Sequence, residues 1–161
     1  SIKYQVLSTE NYKSSEQKLA ELGAKLLIEI LSKWIQGEIK SKEQNHNEAT
    51  YTKKFSWHDG KMDWKKNAEE IERQIRALNP EPGTWSVWNG KILKIREALP
   101  VRSKNDNIKA GQVFLIEKEA AIKCGFDTVL LPKIVQLEGK KPVEISDFLN
   151  GRRNFVGSVL K

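Results

Sequence analysis

Apolar residues at Leu19, Leu22, Leu26, Ile30 and Trp34 follow one another at spacings of three and four, and Leu27 and Leu31 widen the stripe. That period is one face of an amphipathic helix, and it predicts a helix over residues 12–35. Ahead of it, Ile2, Tyr4 and Val6 alternate with polar residues, which predicts a strand over 2–8 with the helix packed on its sheet. Gly23 inside the helix costs about 1 kcal/mol relative to alanine, a cost tolerated where a neighbouring backbone passes close by. Gly37 is placed to stop the helix. Residues 36–48 (QGEIKSKEQNHNE) hold one apolar residue among charges and amides and read as a linker, with a domain boundary near residue 48. An extended stretch over 49–55 and a second helix beginning at Asn67 follow. Asn67 with Glu70 has the form of a capping box, and Ile71, Ile75 and Leu78 form the apolar face. Asn79-Pro80-Glu81-Pro82-Gly83 cannot continue that helix.

From residue 84 the period changes to two. Residues 84–88 and 91–95 flank Asn89-Gly90, a strong hairpin signal. Further strands are predicted over 112–117, 120–123 and 128–137, separated by turn residues. Five short strands in this span predict a small barrel. Ser146 is a candidate cap for a short terminal helix through Asp147, Phe148 and Leu149. The fold class expected is therefore mixed α+β.

Composition adds boundaries to this picture. With 161 residues, 39% hydrophobic and 30% charged, the chain is of ordinary globular type and long enough for a core. No run of about 18 apolar residues occurs, and the first twenty lack the apolar centre of a signal peptide, so a cytoplasmic location is the default and no membrane partner is expected. Cys124 is the single cysteine, which excludes an internal disulfide. With only His46 and His58 beside it, no metal site is expected. The chain opens at Ser1 as though a strand were already under way, which leads us to expect a piece of something longer. The net charge of +7 is uneven. Seven lysines match seven glutamates over residues 1–48, so the whole excess lies in 49–161, where aromatics are interleaved with it. Such a segment points to a polyanion, because lysine and arginine release the counterions condensed on phosphates.

Candidate catalytic groups are sparse. Asn45, His46, His58 and Asp59 offer an amide, two imidazoles and a carboxylate, but three of the four sit in polar loop sequence, with no apolar flank to exclude water. Cys124 has no positioned base and reads as a small buried hydrophobe. No phosphate-loop, dinucleotide or zinc-protease motif is present. Trp85 and Trp88 are three apart on a strand and so face opposite sides. One of them is a candidate stacking platform for bases, with core packing as the alternative.

Several segments, read in order, resemble the methionyl-tRNA formyltransferase family. They are Ala49-Thr50-Tyr51, Met62-Asp63-Trp64, Ile75-Arg76-Ala77, Asn79-Pro80, Gly139-Lys140-Lys141 and Leu149-Asn150-Gly151-Arg152-Arg153. KLAELGAKLL at 18–27 is similar to the last helix of that family's catalytic domain. One departure is Glu81, which stands where the family usually has tryptophan, so no aromatic role is carried to that position. The resemblance implies residues 1–36 as the strand-helix end of a Rossmann-like formyltransferase domain, 37–48 as a linker, and 49–161 as an OB-like tRNA-binding barrel.

It further implies an enzyme that moves a formyl group from 10-formyltetrahydrofolate, its cosubstrate, to methionyl initiator tRNA in translation initiation. The family's catalytic residues belong to an amino-terminal domain and have no counterpart here, so these residues alone should be inactive and bind no cofactor themselves. The implied partners are initiator tRNA and that catalytic domain, with no DNA. The candidate tRNA contacts are Lys53, Lys54, Arg76, Lys91, Lys94, Arg96, Lys140, Lys141, Arg152 and Arg153. Two alternatives differ in class. A sugar-nucleotide formyltransferase would need little basic surface, and a non-catalytic interaction module would show exposed apolar area without salt-sensitive RNA affinity.

Overall fold

The computed structural model describes residues 3–104 and 107–161, and the chain divides into two compact units, Ser1–Phe55 and Ser56–Lys161. In the first, helix α1 spans Tyr12–Ile35. Asn11 caps it: its side chain accepts from the Ser14 N–H (3.0 Å), and Ser14 Oγ accepts from the Asn11 N–H (3.1 Å). Gly37, at φ +77°, ends it in the left-handed region that glycine favours.

The strand expected over 2–8 is not formed. Residues 3–8 run without a ladder, and residue 2 lies outside the described residues. Alternation marks a chain able to pair, but a strand exists only against a partner, and among the described residues none pairs with this segment. The helix is not packed on a sheet either, since α1 has no buried residue and Leu27, Ile28, Leu31, Trp34 and Ile35 are 43–75% exposed. Nor does any backbone approach Gly23, around which a Cβ would meet nothing within 4 Å. What fastens the amino-terminal segment is polar. The buried Glu10 carboxylate accepts from Lys18 Nζ, Tyr4 Oη and Ser15 Oγ.

The second unit is one antiparallel sheet with a helix across it. Helix α2 (Ala68–Leu78) carries the predicted capping box and buries Ala68, Ile71, Ile75 and Leu78. Each of its larger apolar side chains gains about 1.5–3 kcal/mol from leaving water. The strands are β1 (Thr84–Trp88), β2 (Lys91–Arg102), β3 (Val113–Ile116), β4 (Glu119–Lys123), β5 (Thr128–Leu137) and β6 (Val143–Glu144). They run in the order β1-β2-β5-β4-β3, with β6 paired to β5. Asn89 (φ +49°) and Gly90 (φ +74°) make the predicted tight turn of the first hairpin. Leu93, Ile95, Val113, Ile122, Leu130 and Val135 form the core with α2, joined by Trp88, Phe148, Phe155 and Leu160.

The barrel expected from five strands is not a closed sheet. Among the described residues, no ladder joins the edge strands β1 and β3. Residues 157–161 lie against both instead. Val113 N–H donates to Ser158 O (2.8 Å) and Gly157 N–H to Val113 O (2.8 Å), while Val87 and Lys161 exchange backbone bonds of 2.8 and 3.1 Å. Trp64 Nε1 donates to Ser86 Oγ (3.0 Å), which donates on to Lys161 O (2.8 Å). The terminal helix α3 (Ile145–Asn150) begins after Glu144, so Ser146 lies inside its first turn and is not the cap.

Candidate nucleic-acid interface

Strand β2 sends Leu93 and Ile95 into the core and Lys94 to the opposite face, as alternation requires. Arg96 would follow the same rule, and a bulge reinforces it. Ile95 pairs with Val135 and Glu97 with Ile134, so Arg96 is the extra residue between them. A bulge bends the strand and re-aims the side chain it carries. The Arg96 guanidinium forks onto Gln136 Oε1 at 2.9 and 2.7 Å. Gln136 Nε2 then donates to Lys140 O at 2.8 Å, which fixes the turn that presents Lys140 and Lys141. Lys94 Nζ sits 4.9 Å from the centre of the Trp57 ring, and Trp57 is stacked on Trp85 at 5.1 Å and 9°. These groups border a cleft of about 390 Å³ lined by Trp57, Lys94, Arg96, Gln136, Glu138 and Gly139. Glu138 is the acid in that cleft, and its carboxylate is occupied in accepting the Ile92 N–H at 2.9 Å.

Of the ten cations expected to contact tRNA, the structure brings Lys94 and Arg96 to this cleft, and Lys140 and Lys141 are exposed on the adjoining turn, tied to it through the Lys140 carbonyl. Lys91 is exposed at the start of β2. Arg152 lies with its guanidinium carbon 4.4 Å from the Phe148 ring centre, and Arg153 is exposed in the short 3₁₀ turn after α3. Arg76 is not joined to the cleft, because its guanidinium pairs with Glu72 one turn back on α2. Lys53 and Lys54 are exposed in the first unit.

Neither hairpin tryptophan is a free platform. Trp85 is covered by Trp57 and donates to its carbonyl at 2.9 Å, and Trp88 packs edge-on against Phe155 in the core. The partly open aromatic is Trp57, 39% exposed. Alternation carries no signal for it, since it lies in a 3₁₀ turn outside the sheet. Gln136, which orients Arg96, is legible only once the β2–β5 register is known.

Asn45 and His46 fall in the first unit and His58 and Asp59 in the second, and two of the four have local duties. Asn45 accepts from the Asn47 N–H, and Asp59 accepts from the Ser56 N–H and Oγ, both at 2.8 Å. Burial pushes the Cys124 thiol up to about 12, and it is directed at the Ile122 carbonyl. A thiol in that state is packing material and no nucleophile at neutral pH. Among the described residues, no three His, Cys, Asp or Glu side chains cluster as metal ligands, and no helix is long and apolar enough to cross a membrane.

Residues 54–153 match the model of the formyl transferase C-terminal domain. The chain belongs to that family. The formyl transferase C-terminal domain here is similar to methionyl-tRNA formyltransferases from Lactococcus lactis subsp. lactis (34% identical, 91% of this chain and 46% of the relative) and Pseudoalteromonas translucida (36%, 96% and 49%). That from Sulfurihydrogenibium is 39% identical over 86% of this chain and 44% of its own length. The chain spans about half the length of these curated relatives and matches their carboxyl-terminal portion. Among solved structures, HypX from Aquifex aeolicus shares the fold with a TM-score of 0.67 at 17% identity, covering 94% of this chain and 28% of its own.

Proposed function

We propose that this chain is the tRNA-positioning part of a methionyl-tRNA formyltransferase. The parent enzyme would transfer a formyl group from 10-formyltetrahydrofolate to the amino group of methionyl initiator tRNA, in the cytoplasm. The observation that carries this reading is the cleft at the outer sheet face. Lys94 and Arg96 are held there by Trp57 and Gln136 beside the Lys140-Lys141 turn, in a chain similar to enzymes of that name. Fixed cations next to a partly open indole suit a polyanion with bases, and they suit a small apolar substrate poorly. Anchoring a remote part of the tRNA spends binding energy on placing its reacting end.

Under this reading, residues 49–161 are an OB-like domain whose open edges are spanned by the terminal segment, and residues 37–48 are the linker. Residues 1–36 are the end of the catalytic domain. The exposed stripe of α1 is the face we assign to the remainder of that domain, which would hold the catalytic groups and the folate.

The test is a titration of labelled initiator tRNA at two salt concentrations, with elongator tRNA as comparison. Binding should weaken steeply with salt. Replacing Lys94 and Arg96 together by alanine should lower the log–log salt slope by about two, one for each lost phosphate contact. Absence of binding at low salt would remove the tRNA-positioning role from this chain.

A further inference from the structure

We propose that the turn joining β4 to β5 carries a second RNA contact, in which an unpaired base stacks on Phe126 while Arg73, Arg102 and Lys104 neutralise its flanking phosphates. The choice of RNA as the ligand rests on the reading above, whereas the site itself rests on its own geometry.

Gly125, Phe126, Asp127 and Thr128 form a β-turn closed by the Thr128 N–H on Gly125 O (3.2 Å), with φ of +54° and +53° at the two central residues. Those are type I′ values, where glycine, asparagine and aspartate are favoured and a bulky aromatic is strained. Phe126 is also 81% exposed, so it adds nothing to the core. On both counts the fold would be better served by asparagine at this position. A strained, solvated aromatic is the kind of residue that work outside the fold explains.

The turn is held firmly. Gly125 donates to Lys66 O at 2.8 Å, and a Cβ on Gly125 would fall 2.0 Å from Lys65 O, so only glycine lets the two backbones meet. Thr128 Oγ1 donates to Gly125 O at 2.6 Å and accepts the Ala68 N–H at 2.8 Å, and the Ser103 N–H reaches Asp127 O at 2.9 Å. A ring presented by so fixed a turn loses little entropy on binding.

Beside it lies a cleft of about 610 Å³ lined by Arg73 of α2, Arg102 at the end of β2, Lys104 just beyond that strand, and the carboxylates Glu69 and Asp127. Lys123 Nζ lies 4.0 Å from Asp127 and offsets it. Arg73, Arg102 and Lys104 form no ion pair among the described residues. A lone aromatic ringed by cations fits a base and its phosphates. A protein partner or a membrane would call for a contiguous apolar patch, which the polar lining of this cleft does not provide. The site is separate from the Lys94–Arg96 cleft: Thr128 and Gln136 mark opposite ends of β5, about 26 Å apart along the strand.

The experiment compares the 161-residue protein with its Phe126→Asn and Arg102→Ala variants, titrated with labelled initiator tRNA and with an unstructured oligouridylate. Phe126→Asn should raise the thermal midpoint and weaken the binding of at least one RNA by roughly 5- to 150-fold, the range expected for one lost stack. Arg102→Ala should weaken the same RNA and flatten its salt dependence. If the unaltered protein binds tRNA and both variants match it on both RNAs, this site is refuted while the tRNA-positioning role stands. If tRNA is not bound but oligouridylate is, in a Phe126-dependent way, the positioning role falls and the site survives. Failure to bind either RNA overturns both.

Discussion

Glu10 ties the first unit together locally, as the buried acceptor for the side chains of Tyr4, Ser15 and Lys18. Its hydrogen bonds from Lys18 and then Tyr4 hold the carboxyl down at about 2, against an ordinary value of 4.5. A depressed carboxylate pKa stabilises the folded form above the unfolded value and loses that contribution as pH falls through the folded one. Helical circular dichroism of the first unit should therefore fall between pH 4.5 and about 2. Glu10→Gln should flatten that acid limb and lower the signal at neutral pH. An identical pH profile for the two proteins would mean that the Glu10 cluster does not hold the segment. Lys18 gains from the same contact, its own pKa being raised chiefly by the hydrogen bond to Glu10.

At the scale of elements, α2 is the part whose formation follows most directly from local signals. Its cap, acidic first turn and apolar face all lie within residues 67–78, and all agree. Asn67→Ala removes the acceptor for the Glu70 N–H (2.7 Å) and should cost about 1 kcal/mol, measurable as a lowered urea midpoint at unchanged m-value. The first hairpin was legible for the same reason, since Asn89-Gly90 forces the turn and alternation sets the faces. Elements whose existence depends on distant partners were not. Residues 3–8 alternate like a strand but join no ladder among the described residues, whereas β2 continues through Glu97 and Pro100 to Arg102 because β5 runs beside it. β6 is two residues long and has no period to read. The candidate site divides along the same line. Lys94 and Arg96 were legible as charges on a strand, but Trp57 and Gln136 take their meaning from contacts 28 and 40 residues away, and Phe126 takes its own from the positive φ and the exposure of its turn.

For the molecule as a whole, the charge and the architecture are distributed differently. The cationic excess lies after residue 48, and the second unit, which starts at Ser56, keeps its integrity through its last residues. Leu160 is 3% exposed in the core, between backbone bonds to Gly111 and, through Lys161, to Val87. Leu160→Ala should cost about 2–5 kcal/mol, the usual range for a buried leucine, and should speed proteolysis of β1 and β3 together. Destabilisation of one edge alone would mean that the segment does not couple them. The same segment bears on synthesis at the ribosome. When Trp88 has been added, 73 residues remain up to and including Lys161. At roughly 5–20 residues per second, that is a delay of about 4–15 s during which β1 can pair with β2 on one side while its other neighbour, the terminal segment, is still unmade. Over that interval the emerging polypeptide offers an unpaired edge to any other chain nearby, so its yield in the cell should depend on chaperones that shield such edges.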